Sequence, residues 1–225
     1  MQELLKATKL FSFSSDDLIK WIDERSTWSD FKKGEYLFHE GEKAEKMYVI
    51  ASGRVKVVKE FASGKNAILG LFSRGSIVAE VTVIDRKPYP ASAVAMEDTH
   101  AGGIPADVLR EAIGKFPELS IRIIEGLGAK LRELTTTMGS LSTQKVEKRL
   151  ARFLYKFGHE IGEKRSDGIH LALPMTRRDL AEIIGTSFEV VERALKKMRE
   201  EGILKIDAKN ILICDSQRLK DLFHE

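Results

Sequence analysis

The sequence predicts an α+β protein in which an antiparallel β-roll is followed by a long helix and then by a small helical domain that ends in a β-hairpin. Three observations predict this fold: glycine-separated apolar runs between residues 31 and 99, apolar residues at heptad spacing after Pro117, and two capped helix patterns after residue 175. The expected domains are 1–116, 117–141 and 142–225.

The β-roll is predicted from short apolar runs that glycines separate. These runs are 36–38, 47–50, 55–58, 67–69, 76–78 and 91–94. Short strands at intervals of roughly 8–12 residues with turn signals between them are typical of an antiparallel sandwich or barrel. Helical patterns at 15–25 and 105–116 flank this region.

A long helix is predicted after Pro117 because apolar residues there step by three and four positions. They are Ile124, Leu127, Leu131, Leu134, Met138 and Leu141. This spacing is typical of a coiled-coil seam, whereas a helix packed on its own sheet needs a wider apolar stripe. Most residues beside the seam are charged, Thr or Gly, which favours a parallel two-stranded coiled coil and therefore a homodimer. Packing of this helix on its own sheet is the alternative.

A helix is expected at 146–161, at the start of the last domain. Two capping boxes then mark the start of two further helices in that domain. Thr176 is followed three residues later by Asp179, and Gly185 is expected to end the helix that they open. Thr186 with Glu189 predicts a second capping box, for a longer helix that runs to about residue 202.

A β-hairpin is predicted directly after the second helix. The apolar runs 203–206 and 211–213 flank the residues 207–210, which have the length and composition of a hairpin loop. A helix, a tight turn, a longer helix and a hairpin form the outline of a winged helix-turn-helix, which lays its second helix in the major groove of DNA.

The exposed side of that second helix is expected to read the bases. The candidates are Ser187, Phe188, Glu189, Glu192 and Arg193. Arginine can pair with the O6 and N7 atoms of guanine, and glutamate can accept from the N4 amino group of cytosine. The alternative is that Glu189 and Arg193 form an ordinary surface ion pair between helix positions i and i+4, worth about 0.2–0.5 kcal/mol.

Composition narrows the function classes. An apolar content of 43% and a charged content of 32% are typical of a globular protein, and no apolar stretch is long enough for a membrane span or a signal peptide, so we expect a cytoplasmic protein without a membrane partner. The single cysteine, Cys214, makes an internal disulfide impossible and argues against a cysteine-ligated iron–sulfur cluster. We find no glycine-rich phosphate loop, no metal-spaced cluster and no nucleophile motif, so we expect neither an enzyme nor a metal site.

The excess of positive charge lies in the C-terminal part of the chain. Residues 142–225 contain 17 Lys and Arg against 14 Asp and Glu, whereas residues 1–141 contain 20 of each. This distribution is compatible with phosphate contact by the helix-turn-helix domain, although a surplus of three charges also suits an ordinary solvated surface.

The order of β-roll, long helix and winged helix-turn-helix resembles the CRP/FNR family of bacterial transcription regulators. Matching strings lie along nearly the whole chain: Gly34-Glu35, Phe38, Glu40-Gly41, Ser52-Gly53-Arg54-Val55, 87–93, Gly185-Thr186-Ser187, Glu189 and Arg193. The resemblance implies a cyclic-nucleotide-binding-like β-roll and a homodimer that reads a palindromic site in double-stranded DNA and works with RNA polymerase.

The resemblance also implies individual DNA contacts. Glu189 and Arg193 would contact a C·G and a G·C pair in each half-site. The residues expected to hold phosphates are Thr176, Arg177, Lys196 and Lys197. Cyclic-AMP-responsive members have an arginine where this chain has Phe188. One guanine contact is therefore lost, and the phenyl ring is expected near a thymine methyl group.

The effector pocket that the resemblance implies departs further from the cyclic-AMP pattern. Its residues would be Ala79, Glu80, Tyr89, Ala91, Ser92, Leu134 and Thr135. Cyclic-AMP binders have a Gly-Glu pair and an Arg-Ser pair where this chain has Ala79-Glu80 and Ala91-Ser92. A phosphodiester anion needs a cationic or helix-terminal partner, so we expect no response to cyclic AMP.

Other signals and another kind of partner stay open as alternatives. A haem-based sensor of NO or CO could use His39, His100 or one of the six methionines as an axial ligand, although a histidine near a strand is more often a structural residue. A regulator without a ligand, or one that senses an unidentified small molecule, is favoured over haem. The remaining alternative is an effector-binding module whose winged helix contacts a protein.

Overall fold

A computed structural model describes residues 1–62, 66–172, 175–207 and 210–224, without the side chains of residues 133, 137, 138, 140–143 and 172. The chain divides into two compact units, Met1–Glu133 and Leu134–Glu225. The predicted α+β class, with a β-roll, a long helix and a C-terminal winged helix-turn-helix, is confirmed. No helix in the described ranges combines the length and the apolar character that crossing a bilayer requires.

Two antiparallel sheets form the β-roll of the first unit. Their strands are β1 Thr27–Phe31, β2 Tyr36–Phe38, β3 Lys46–Ser52, β4 Val55–Glu60, β5 Asn66–Phe72, β6 Ile77–Val78, β7 Ser92–Ala95 and β8 Thr99–Pro105. One sheet has the order β1-β8-β3-β6 and the other has the order β2-β7-β4-β5. Each of the six predicted apolar runs overlaps a strand, whereas β1 and β8 were not predicted.

Short helices cover the first sheet. They are α1 Gln2–Lys6, α2 Asp16–Asp23, α3 Glu80–Asp85 and α4 Ala106–Lys115. The helix α2 starts where the hydroxyl of Ser15 accepts a hydrogen bond from the Leu18 N–H at 3.3 Å. The helices α1 and α3 pack on β3, and α4 packs on β8. The apolar run 47–50 of β3 is buried at all four positions, as expected for a strand that is covered on both faces.

The long predicted helix is α5, Glu118–Thr143, with 26 residues. A helix of this length extends about 39 Å at 1.5 Å per residue. It contains the predicted heptad seam.

The second unit holds four further helices and a sheet among its described residues. The helices are α6 Val146–Ile161, α7 Arg177–Ile184, α8 Phe188–Glu200 and α9 Ser216–His224. The strands are β9 Glu163–Arg165, β10 Gly168–Ala172, β11 Leu204–Asp207 and β12 Asn210–Ile213, in the order β11-β12-β10-β9. The bounds of α6 coincide with those expected from the sequence.

The predicted hairpin is present as β11 and β12. The pairs run from Leu204 with Ile213 to Asp207 with Asn210. The prediction that Asp207 and Asn210 belong to the loop is therefore wrong, because both pair in the ladder. The other two predicted loop residues, 208 and 209, lie outside the described residues.

Candidate nucleic-acid interface

The helix-turn-helix opens on a complete capping box. The Asp179 N–H donates to Oγ1 of Thr176 at 3.1 Å, and the Asp179 carboxylate accepts from the N–H of Thr176 at 2.7 Å and from its hydroxyl at 2.9 Å. The helix α7 ends at Gly185, whose φ of +71° lies in the left-handed region that glycine adopts without steric cost. The first capping box and the predicted helix end are both confirmed.

A side chain from α6 holds the end of α7 in place. Nε of Arg149 donates to the Ile184 carbonyl at 3.1 Å, and its Nη1 donates to the Gln144 carbonyl at 2.8 Å. The last carbonyls of a helix lack partners within the helix, so a guanidinium there satisfies one of them and suits the negative helix end. This role of Arg149 was not predicted from the sequence, because the contact with Ile184 joins residues 35 positions apart.

The predicted second capping box, Thr186 with Glu189, is wrong. The Thr186 N–H donates to the Ala181 carbonyl at 3.0 Å and so belongs to the end of α7, and the N-cap of α8 is Ser187. Three residues after Ser187 the chain has Val190, which offers no acceptor. Instead, a hydrogen bond from the Ser187 hydroxyl holds the pKa of the Glu189 carboxyl below its ordinary value. Glu189 is therefore a charged acceptor at neutral pH.

The helix α8 has one buried face and one exposed face. The buried side chains are Val191, Ala194, Leu195 and Met198. Of the predicted base-contact residues, Ser187, Phe188, Glu189 and Arg193 are exposed, with Phe188 43% exposed, whereas Glu192 is partly buried. Residues three and four apart share a face of a helix, so these side chains lie together at the N-terminal end of α8. This is the end from which a recognition helix contacts base edges.

The residues predicted to contact phosphate have different neighbours. The Thr176 hydroxyl is part of the capping box. Nε of Arg177 lies 3.5 Å from Oε1 of Glu192, and Nζ of Lys196 lies 3.8 Å from Oε1 of Glu200. Lys197 is exposed.

A groove between α8 and the wing strand β11 gathers positive charge. It is lined by Arg177, Glu192, Arg193, Leu195, Lys196, Arg199 and Ile206. Arg199 was not predicted, although its position three residues after Lys196 could have indicated it. The pairing of Arg177 with Glu192 was not predicted either, because the fold brings these residues together and no local signal exists for it.

The predicted effector residues of the first unit lie in and around α3 and β7. Burial raises the pKa of the Glu80 carboxyl, and the charge of Lys130 opposes that rise. The buried Tyr89 hydroxyl donates to the Lys46 carbonyl at 2.6 Å. Ala91 and Ser92 are buried, and the Ser92 hydroxyl accepts from the Glu40 N–H at 2.9 Å. The other predicted members are Ala79, which precedes α3 with a φ of +72°, and Leu134 and Thr135, which lie in the second unit.

The apolar seam of α5 is exposed in the single chain. The exposed fractions of Ile124, Leu127, Leu131 and Leu134 range from 42% to 67%. Ile121 extends the seam by one step of three and is 61% exposed. The side chains of the other two predicted members, Met138 and Leu141, lie outside the described residues. An exposed apolar stripe of this length marks an interaction surface.

The candidate haem ligands contact neighbouring side chains. The ring of His39 stacks on that of Tyr36 with a centroid distance of 4.0 Å. The ring of His100 stacks on that of Trp28 at 4.5 Å, and its Nδ1 lies 2.7 Å from Oδ1 of Asp30. Within the described ranges, no group of three or more His, Cys, Asp or Glu side chains is placed to hold a metal ion.

Two domain families match this chain. The cyclic nucleotide-binding domain matches residues 28–116, and the Crp-like helix-turn-helix domain matches residues 148–222. The first match covers the β-roll and α4, and the second covers the helix-turn-helix with its wing.

The chain is similar to regulatory proteins over most of their length. The chain is 26% identical over 219 residues to the CRP-like cAMP-activated global transcriptional regulator of Mycobacterium tuberculosis, covering 97% of this chain and 98% of the relative. It is 29% identical over 200 residues to the Anaerobic regulatory protein of Bacillus subtilis, covering 88% and 84%. The structure of FixK2 from Bradyrhizobium japonicum matches with a TM-score of 0.79 at 26% identity, over 88% of this chain and 96% of that one.

Proposed function

Because the chain belongs to the CRP/FNR family of DNA-binding transcription regulators, we propose that it acts as a homodimer that reads an inverted-repeat operator and answers to a signal other than cyclic AMP. The observation that carries this proposal is the exposed end of α8, where Glu189 and Arg193 stand on the face opposite the buried one. The proposed site of action is the cytoplasm, with RNA polymerase as the protein partner.

The chemistry of this face suits bases in the major groove. Arg193 can donate two hydrogen bonds to the O6 and N7 atoms of a guanine, and Glu189 can accept from the N4 amino group of a cytosine. The exposed ring of Phe188 can contact a thymine methyl group. Each half-site is therefore proposed to contain a G·C and a C·G pair. At the base pair that Phe188 contacts, the protein is proposed to prefer thymine.

The exposed seam of α5 supports the homodimer. Two copies that pair along Ile124, Leu127 and Leu131 bury apolar surface that the single chain leaves in water. A two-fold symmetric pair presents two copies of α8, which can enter successive major grooves about one helical turn of DNA apart. The operator is therefore proposed to be an inverted repeat.

Residues of the first unit support the proposal that the signal is not cyclic AMP. Ala91 presents a buried methyl group where a phosphodiester would need a cation. Nζ of the nearby Lys59 donates to the Pro90 carbonyl at 2.9 Å and is paired with the Glu40 carboxylate, so its charge is already balanced. These residues do not fit cyclic AMP. The proposed regulator either needs no ligand or senses an unidentified small molecule.

Selection of bound duplexes from a random DNA pool tests the proposal. We expect an inverted repeat with a G·C and a C·G pair in each half-site. Three cationic phosphate contacts per protomer, from Arg177, Lys196 and Lys197, predict a slope of roughly −5 for log K against log salt concentration. A pool that returns no inverted repeat, or affinity that does not respond to salt, contradicts DNA reading and favours a winged helix that contacts protein. Calorimetric titration that shows micromolar binding of cyclic AMP contradicts the proposed change of signal.

A further inference from the structure

The recognition helix carries a second carboxylate, Glu192, that faces the same way as its base-reading residues. Glu192 lies four positions after Phe188 and three after Glu189, so it shares their face in the second turn of α8. Residues in the first turns of a recognition helix contact base edges. Glu192 is therefore as well placed for a base contact as Phe188 and Glu189 are.

One oxygen of this carboxylate faces α7. Oε1 of Glu192 is buried and lies 3.5 Å from Nε of Arg177, at ion-pair distance but without hydrogen-bond geometry to any described residue. The Glu192 side chain as a whole is still 45% exposed. The charge of Arg177 attracts Oε1 towards α7, and the side chain can offer its other oxygen, Oε2, to a donor.

The surrounding charges explain how a carboxylate can approach DNA at this point. An isolated carboxylate is repelled by the phosphates of both strands. Glu192, however, lines a groove whose charged members are otherwise cations, namely Arg177, Arg193, Lys196 and Arg199. The net field in the groove is therefore positive, and the carboxylate can act as a local acceptor within it.

We propose that Glu192 is a fourth specificity-determining residue, which accepts from the N4 amino group of a cytosine at a base pair distinct from those read by Phe188, Glu189 and Arg193. Arg177 is the positioning residue that orients this carboxylate, and its Nη atoms can still reach a phosphate. This inference rests on the proposed DNA-reading function and adds one read base pair to each half-site.

Competition binding with a panel of operators tests the inference. Each half-site position is changed to all four bases, and the panel is measured with the wild-type chain, Glu192→Ala, Glu192→Gln and Arg177→Ala. Wild type should prefer cytosine at the base pair read by Glu192 by about 5- to 10-fold, and Glu192→Ala should lose that preference. Glu192→Gln keeps the shape of the side chain and should shift the preference towards adenine, the base with which glutamine pairs.

Arg177→Ala separates positioning from simple phosphate contact. It should lower affinity for every operator and also reduce the cytosine preference at the base pair read by Glu192, whereas the loss of a phosphate contact alone would leave that preference unchanged. In the Glu192→Ala background it should change no preference further. Glu200→Gln is the matched control, because Glu200 also pairs with a cation of α8, Lys196, but lies at the far end of the helix. It should leave every base preference as in wild type.

The outcomes distinguish this inference from the function on which it rests. If Glu192→Ala changes affinity equally for all operators, or if Glu192→Gln keeps the cytosine preference, the inference is overturned while the preferences that depend on Glu189 and Arg193 remain. If the wild-type chain shows no base preference at any position, the proposed DNA reading fails, and this inference fails with it.

Discussion

Truncation of Leu131 to alanine should weaken self-association by an amount that follows from its exposure. Leu131 is 67% exposed in the single chain, and complete burial of a leucine side chain is worth about 1.5–3 kcal/mol. Covering the exposed part is then worth about 1–2 kcal/mol per protomer, and about 2–4 kcal/mol in a symmetric dimer that contains it twice. Since alanine keeps only one carbon, Leu131→Ala should remove roughly 1.5–3 kcal/mol and raise the dimer dissociation constant about 10- to 150-fold.

Sedimentation equilibrium of the full chain measures this change. Leu131→Glu, which puts a charge into the seam, should leave only monomer. Ala129→Glu is the matched control, because residue 129 is exposed and lies about 200° around the helix from residue 131. It should dimerise like wild type. An unchanged dissociation constant for Leu131→Ala, or an equal loss with Ala129→Glu, would refute the assignment of the seam to a dimer.

Three further predictions concern the reading helix, its cap and the first unit. Arg193→Ala should cost about 1–3 kcal/mol and relax the preference at one base pair, whereas Lys197→Ala should weaken all operators alike, as quantitative binding to single-base variants will show. Thr176→Ala removes both hydroxyl bonds of the capping box and should cost about 1 kcal/mol in denaturant unfolding, while Thr176→Ser should cost much less. Burial raises the pKa of the Glu80 carboxyl, so folding favours the protonated form and stability falls as pH rises above the ordinary value of 4.5. Glu80→Gln should therefore melt at a higher temperature than wild type at neutral pH, and equal melting temperatures there would contradict the burial argument.

Sequence reasoning worked where local pattern and tertiary environment agree. The helix α6 combines an apolar face with charged residues on its other side, and its predicted bounds are those observed. The strand β8 was missed because its sequence, with Ala101, Gly102 and Gly103, lacks the bulky residues that mark a strand. The structure explains why residue 102 is a glycine: a Cβ there would lie 2.2 Å from Cε of Met1.

In the candidate site, too, features set by local sequence could be predicted, whereas contacts between distant residues could not. The faces of α8 could be predicted because helical spacing alone separates Val191 from Glu189 and Arg193. The N-cap of α8 was predicted one residue too early and a capping box was predicted where none forms, because nothing in the sequence shows that Thr186 completes the preceding helix. The Arg177 and Glu192 contact, which joins residues 15 positions apart, depends on how α7 and α8 cross and has no sequence signal.

The division of α8 into a packed face and a reading face has an evolutionary consequence. Replacing a packed residue such as Leu195 by alanine costs about 2–5 kcal/mol, a large share of the stability of a small domain. Replacing an outward residue such as Arg193, which is exposed, disturbs much less of the packed interior. After gene duplication, a few codon changes on the outward side could therefore give two copies separate sets of target promoters without an unstable intermediate. Arg177 and Glu192 form the exception, because a change in either alters the surroundings of the other, so that new regulators would tend to replace them as a pair.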